Sequence, residues 1–208
     1  MSDSDGKRSG ISRRGFIKGA GLSAAGAALS HASVTTAEAA AQGVREGKVL
    51  GPGPVAIELM VNGRRQILEV EPRATLADAI RDEIGLTGTK VSCNRGACSA
   101  CTVFLDGRPV SSCMTLAVDA GDREITTIEG LAKSGKLHPV QKAFVDSDAM
   151  QCGFCTPGMV MSAAALLSRN PDPTLDEVRE ATSGNLCRCG TYPKVFEATL
   201  AAAKKKEA

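Results

Sequence analysis

Eight cysteines in two separate sets of four are the feature that most constrains how this 208-residue chain can fold. The first set has the order C-x4-C-x2-C-x11-C, and the second set is a C-x2-C pair followed by a C-x-C pair. A fold that uses each set as a unit has to gather four thiols twice. The two sets are Cys93, Cys98, Cys101 and Cys113, and Cys152, Cys155, Cys187 and Cys189.

The first set has the C-x4-C-x2-C…C order in which plant-type proteins hold a 2Fe–2S cluster with four thiolates. Gly96 and Ala97 are small, so their backbone N–H groups can approach the sulfurs. Structural zinc more often uses paired C-x2-C knuckles. Thiols this close along one loop would be poor disulfide partners. The spacing therefore indicates a 2Fe–2S cluster, with zinc and disulfides as alternatives.

The second set is less diagnostic by its spacing alone. The C-x2-C pair, in "QCGFC", precedes a predicted helix that starts near Pro157, and the C-x-C pair lies between two predicted helices. If these helices pack as a bundle, both loops meet at one end and supply four thiolates. A thioredoxin-like redox pair, which requires an adjacent strand and helix, and a zinc site are the alternatives.

The first half of the chain has the pattern of a small sheet protein. Residues 55–61 and 65–70 read as strands around an Asn62-Gly63 turn, and Thr75 caps a predicted helix over residues 76–84. Further strands are predicted at residues 102–105, 110–113 and 124–128.

The second half has helical periods instead. His138-Pro139 and the capping box Thr174–Glu177 mark helix starts, and Asn170-Pro171 marks a helix end. Helices are predicted at residues 139–146, 157–168, 175–182 and 193–204. Strands followed by helices favour an α+β chain of two small packed units over a single α/β sheet.

The N-terminus reads as an export leader. Arg13 and Arg14 form a twin-arginine motif, and the Gly/Ala-rich run from Gly19 to Leu29 is well short of the roughly 20 residues that a spanning helix needs. A disordered or amphipathic tail is the alternative. The predicted organisation is a signal peptide over residues 1–41, a linker over 42–54, a first cluster domain over 55–130 and a second cluster domain over 131–208. The protein is predicted to be exported to the periplasm without stable insertion in a membrane.

The charge of the chain argues against a nucleic-acid-binding surface. Removal of the leader takes five of 25 basic residues and three of 23 acidic residues, which leaves 20 of each. The chain has no Trp and few other aromatic residues, and single-stranded nucleic acids are bound by basic grooves with aromatic side chains. We therefore expect no nucleic-acid partner.

Five segments resemble the iron–sulfur small subunits of the xanthine oxidase family of molybdenum hydroxylases, and most of all those of periplasmic aldehyde oxidoreductases. The resemblance covers residues 55–203 in the family's order. The segments are "LTGTKVSCNRGACSACTVFLDGRPVSSC", "EITTIEGL", "HPVQKAF", "QCGFCTPGM" and "SGNLCRCGTYP".

This resemblance implies a plant-ferredoxin-like β-grasp domain followed by a four-helix bundle, each with one 2Fe–2S cluster. It also implies a large partner subunit with a molybdenum cofactor that oxidises aldehydes or related substrates, and a flavin (FAD) subunit or a cytochrome as electron acceptor. Gln151 and Cys189 match the family positions that approach the pterin. The chain would transfer electrons and carry no catalytic residue, since His138 reads as a helix cap.

The chain departs from the family pattern at Ser92 and Ser99, where the family usually has glycine. A serine hydroxyl beside a cluster sulfur would alter the reduction potential. Export by the twin-arginine route, which carries folded proteins, would keep all eight thiolates ligated before they meet an oxidising compartment. A free-standing two-cluster ferredoxin and an exported zinc or disulfide-bonded binding module are the rival functions.

Overall fold

The structure, a computed structural model, describes Ser12, Arg14 and residues 49–204. The chain divides into two units, Met1–Val49 and Leu50–Ala208, and every element below belongs to the second. The predicted leader, apart from Ser12 and Arg14, and most of the predicted linker lie outside the described residues. No helix among those described is long and apolar enough to cross a membrane.

The first part of the unit is a five-stranded mixed sheet. Strands β1 and β2 pair antiparallel through the predicted Asn62-Gly63 turn, in which both residues have positive φ (52° and 72°). The order is β2-β1-β5-β3-β4, and only the β1–β5 pair is parallel. The strands are β1 (Val55–Val61), β2 (Arg64–Val70), β3 (Thr102–Leu105), β4 (Arg108–Ser111) and β5 (Glu124–Thr126).

A short helical segment covers one face of this sheet. Helix α1 (Leu76–Asp78) is capped by Thr75, whose hydroxyl accepts a hydrogen bond from the Asp78 amide. The helix continues as a π-helix (Ala79–Glu83). The prediction of a helix over residues 76–84 is thus confirmed in extent, although most of it is a π-helix. Buried residues from this segment and the strands form one apolar core: Leu59, Val61, Val70, Leu76, Ala79, Ile80, Val103, Leu105, Ala117, Ala120 and Ile125.

The remaining elements are helical. Two short helices, α2 (Ala117–Ala120) and α3 (Ile128–Leu131), flank β5, so Ile128 lies in a helix and not in the predicted strand. Four longer helices follow, close to the predicted positions: α4 (Pro139–Asp146), α5 (Thr156–Arg169), α6 (Leu175–Thr182) and α7 (Tyr192–Lys204). Nδ1 of the His138 ring accepts a hydrogen bond from the Val140 amide at 3.3 Å, which confirms that His138 caps α4.

Three of the four longer helices, α4, α5 and α7, contribute to a second apolar core around Phe144, Met159 and Met161, all fully buried. Phe104 of β3 and Ile128 of α3 pack against this core from the sheet side. The two parts of the unit are therefore joined by direct packing, and the two cysteine sets lie on adjoining loops. The structure has an α+β architecture, as predicted.

Candidate metal centres

The first cysteine set lies at one end of the β3–β4 hairpin. Cys101 immediately precedes β3, while Cys113 lies in a 3₁₀ turn (Ser112–Met114) just after β4, and not in the predicted strand. The Ser112 hydroxyl donates to the Cys101 carbonyl at 2.7 Å. Because Thr102 pairs with Ser111 across the hairpin, Cys101 and Cys113 come from neighbouring strands onto one site.

The loop from Cys93 to Cys98 curls around the same site. Asn94 and Gly96 both have positive φ (50° and 71°), which turns the backbone back on itself. The Ala97 amide donates to the Cys93 sulfur at 3.3 Å. A Cβ atom at Gly96 would lie 3.0 Å from Met114 Cγ, so this position has little space for a side chain.

The thiols of the first set perturb one another. Hydrogen bonds from the Arg95 amide and then from the Cys98 thiol lower the pKa of Cys93 to about 7. Burial, with contributions from the thiols of Cys101 and Cys93, raises the pKa of Cys113 to about 11. The structure thus brings all four thiols of the first set together.

The second set lies where two helical loops meet. Cys155 is buried at the start of α5, and Cys187 is half-buried in the loop between α6 and α7. Burial, followed by the effect of Cys187 and then Cys152, raises the pKa of Cys155 to about 12. These three thiols therefore face one another, while Cys189 lies exposed two residues further along the second loop.

Two residues that the sequence analysis did not single out hold Cys187 in place. The Thr191 hydroxyl lies 3.3 Å from the Cys187 sulfur, and the Cys187 amide donates to the Tyr192 hydroxyl at 2.8 Å. Although burial opposes ionisation, the hydrogen bonds from Thr191 lower the pKa of Cys187 to about 7. A Thr-Tyr pair directly after C-x-C-Gly was the only available signal in the sequence.

The donor chemistry of both sets fits a 2Fe–2S cluster. None of the eight cysteines forms a disulfide, the Ala97 amide donates to the Cys93 sulfur, and the Thr191 hydroxyl lies within hydrogen-bond distance of the Cys187 sulfur. A 2Fe–2S core shares its four thiolates between two irons.

Gln151, which the family resemblance places near the pterin, is exposed and adjoins Cys152 of the second set. Arg188, between Cys187 and Cys189, is also exposed. Phe154 and Leu186 are also exposed there, at 47% and 57%. A cleft of about 350 Å³ opens beside Cys152 and is lined by Arg81 and Lys90.

Comparisons with known proteins match both parts of the chain. Residues 59–128 match the family described as 2Fe-2S iron-sulfur cluster binding domain, and residues 127–200 match the family described as 2Fe-2S binding domain. The two matches meet between β5 and α3. The chain therefore has two 2Fe–2S binding domains in succession.

Individual relatives agree with this assignment. The nicotine 6-hydroxylase small subunit of Paenarthrobacter nicotinovorans is 51% identical over 70% of this chain and 88% of its own length. The aldehyde oxidoreductase iron-sulfur-binding subunit PaoA of Escherichia coli K12 is 39% identical over 90% of this chain and 86% of its own length.

Among solved structures, quinoline 2-oxidoreductase from Pseudomonas putida 86 superposes with a TM-score of 0.71 at 46% identity, over 74% of this chain and 96% of the matched chain. The fold is therefore shared with this oxidoreductase chain. The chain belongs to the 2Fe–2S electron-transfer small subunits of the xanthine oxidase family of molybdenum hydroxylases.

Proposed function

We propose that each cysteine set holds one 2Fe–2S cluster and that the chain passes electrons between a substrate-oxidising partner and an acceptor. The grouping of four thiols at the first site and of three at the second, with Cys189 two residues after Cys187 in the same loop, is the observation that carries this proposal. The first cluster would be held by Cys93, Cys98, Cys101 and Cys113, and the second by Cys152, Cys155, Cys187 and Cys189.

We assign the mixed sheet with its α1 segment to a β-grasp domain over residues 55–130. We assign the four longer helices to a four-helix-bundle domain over residues 131–208. Two separate apolar cores, one under the sheet and one among the helices, support this division.

The residues of this chain act by holding and shielding the clusters. A 2Fe–2S cluster, when bound, takes up and releases one electron. Cys101, Cys113 and Cys155 are buried, so the protein keeps water from one side of each site. The Ala97 amide donates to the Cys93 sulfur, and the Thr191 hydroxyl would donate to a thiolate at Cys187, which can only accept. No residue of this chain is assigned to proton transfer, since His138 caps α4.

The exposed edge of the second site is the surface that we assign to the large molybdenum-cofactor subunit. Gln151 and Cys189 are exposed there and would approach the pterin. Phe154 and Leu186 add exposed apolar area beside them, which is typical of a protein interface. Electrons would enter the chain at this edge and leave through the first site to a flavin subunit or a cytochrome.

Aldehydes or related compounds are the substrate class that we propose for the complex. PaoA, an aldehyde oxidoreductase subunit, aligns over 203 residues, whereas the nicotine 6-hydroxylase subunit aligns over 146. The match to PaoA, at 39% identity over 90% of this chain, supports this proposal.

We also propose that residues 1–41 are a twin-arginine leader, that residues 42–54 are a linker and that the complex works in the periplasm. The Arg13-Arg14 pair and the short Gly/Ala-rich run support this. Assembly of the clusters before export would protect the thiols from oxidation.

Native purification from periplasmic extract tests the partner assignment. We expect the chain to elute from gel filtration together with molybdenum and a larger subunit, and to become reduced when an aldehyde is added. Elution at the mass of the single chain, with both cluster signals present, would instead support a free-standing ferredoxin. Zinc without iron, or disulfides without metal, would support a binding module.

A further inference from the structure

The hydroxyl of Thr156 is buried beside the second cysteine set and has no hydrogen-bond partner among the described residues. Thr156 is the first residue of helix α5 and directly follows Cys155. The residue as a whole is half-buried, but its Oγ1 atom is shielded from solvent. The only other such atom in the described part of the chain belongs to Thr89, four residues before the nearest cysteine. A buried hydroxyl without a partner is unfavourable, so we expect an acceptor next to Thr156.

The helix itself does not supply this acceptor. A threonine inside a helix usually donates to the carbonyl four residues earlier, as the Thr199 hydroxyl does to Val195 at 2.8 Å. That bond requires a preceding helical turn, and Thr156 has none because α5 begins there. The hydroxyl does not cap the helix either, since Cys155 occupies the N-cap position.

The side chains on the outer side of Thr156 do not supply the acceptor. Thr156 lines a pocket of about 230 Å³ in which Gln141 is the only other polar side chain. The Gln141 amide is already engaged at both ends, because its Nε2 donates to the Ile128 carbonyl at 3.1 Å and its Oε1 accepts from the His138 amide at 2.9 Å. The remaining lining residues are apolar or glycine.

The loop of the C-x2-C pair lies against Thr156. Gly153, between Cys152 and Cys155, lines the same pocket as Thr156, and the buried Cys155 is its neighbour in the chain. A 2Fe–2S cluster held by this loop would add sulfur atoms to this end of α5, and such sulfurs accept hydrogen bonds. The buried hydroxyl therefore fits a role toward the second cluster.

We propose that the Thr156 hydroxyl donates a hydrogen bond to a sulfur of the second cluster and thereby raises the reduction potential of that cluster. This inference rests on the proposed function. Uptake of one electron makes the cluster more negative and strengthens the hydrogen bond, so the reduced state is stabilised. The partner's substrate supplies the electron, the acceptor removes it, and no covalent bond forms or breaks.

Removal of the hydroxyl is the first test. Valine has nearly the shape of threonine but no hydroxyl, whereas serine keeps the hydroxyl and loses only the methyl group. In an EPR-monitored redox titration of the full chain loaded with both clusters, we expect Thr156→Val to lower the second potential alone. Thr156→Ser should restore the wild-type value. Thr199→Val, which removes a hydroxyl bonded within α7, should leave both potentials unchanged.

Pulsed EPR detects the hydrogen bond itself. With clusters assembled in D2O, the hydroxyl deuteron of Thr156 should couple to the electron spin of the reduced second cluster. Backbone amide deuterons contribute to the same spectrum in every variant, so the difference between the wild type and Thr156→Val isolates the hydroxyl. We expect this difference to be present, and to be absent between the wild type and Thr156→Ser.

An unchanged second potential together with an unchanged deuterium coupling in cluster-loaded Thr156→Val would overturn the proposal and leave the proposed function intact. If Thr156→Val does not retain the second cluster, a crystal structure of the cluster-loaded wild-type chain decides. Oγ1 of Thr156 within hydrogen-bond distance of a cluster sulfur would support the proposal, and Oγ1 bonded to water or to protein instead would overturn it. Absence of both clusters from the wild type would contradict the proposed function itself.

Discussion

The side chain of Asn62 forms two hydrogen bonds with Thr127: its Nδ2 donates to the Thr127 hydroxyl at 3.0 Å, and its Oδ1 accepts from the Thr127 amide at 2.9 Å. Asn62 lies in the β1–β2 turn, and Thr127 precedes helix α3. The Thr127 hydroxyl in turn donates a hydrogen bond to Oε2 of Glu129, and Oε1 of Glu129 accepts a hydrogen bond from the Gly88 amide. This network ties the sheet to the start of the helical part.

Substitution of Gly130 tests how much this network stabilises the fold. A Cβ atom at Gly130 would lie 2.0 Å from Asn62 Oδ1, so we expect Gly130→Ala to lower the free energy of unfolding by about 1–3 kcal/mol through overpacking. Alanine would otherwise favour a helical position by about 1 kcal/mol. Urea denaturation measures the difference, with Gly53→Ala as the control. A stabilised Gly130→Ala variant would contradict the described contact.

Removal of the Thr191 hydroxyl tests its action on the second site. A thiolate at Cys187 can only accept a hydrogen bond, and a donor to a cluster sulfur stabilises the more negative, reduced state. We expect Thr191→Val to lower the reduction potential of the second cluster alone, as measured by an EPR-monitored redox titration.

Thr199→Val is the matched control, because the Thr199 hydroxyl donates to the Val195 carbonyl within the same helix. It should leave both potentials unchanged. An unchanged potential in Thr191→Val would mean that this hydroxyl does not act on the cluster.

Replacement of Cys155 tests the assignment of the second cluster. We expect Cys155→Ser to remove one of two EPR signals, to halve the iron content and to abolish turnover of the complex with substrate. The nearby variant Ser162→Ala, on the same helix, should retain both signals. If Cys155→Ser keeps both signals and full turnover, Cys155 is not a ligand.

Replacement of the arginine pair tests the export route. Arg13→Lys together with Arg14→Lys keeps the charge but removes the twin-arginine motif. We expect the cluster-loaded chain to remain in the cytoplasm, as measured by cell fractionation and immunoblotting. A matched double substitution of Lys7 and Arg8, outside the motif, should not affect export. Normal periplasmic accumulation of the first variant would contradict the leader.

Local features of the fold could be predicted from the sequence because their causes are local. The Asn62-Gly63 turn and the caps at His138 and Thr174 each depend on residues a few positions apart, and each is present in the structure. The sequence predicts Cys113 at the end of a strand that returns from the Asp106-Gly107 turn, but the chain turns after Ser111 and brings Cys113 back toward Cys101. The turn is held by the hydrogen bond from the Ser112 hydroxyl to the Cys101 carbonyl, a contact that strand propensity does not predict.

The contacts between the two parts could not be predicted in the same way. Leu186 meets Cys98, and Gly158 meets Ser99, because two separate cores pack together, and neither pair has a sequence pattern of its own. The cysteine spacing did predict the kind of site. The roles of Thr191 and Tyr192 depend on the direction in which α7 leaves the second loop, which spacing does not specify.

Iron and acid-labile sulfide per purified chain, with an EPR spectrum after reduction by dithionite, test the central claim most directly. The account predicts about four of each per chain and two distinct 2Fe–2S signals. Zinc in place of iron, or fewer than eight thiols because disulfides have formed, would contradict it.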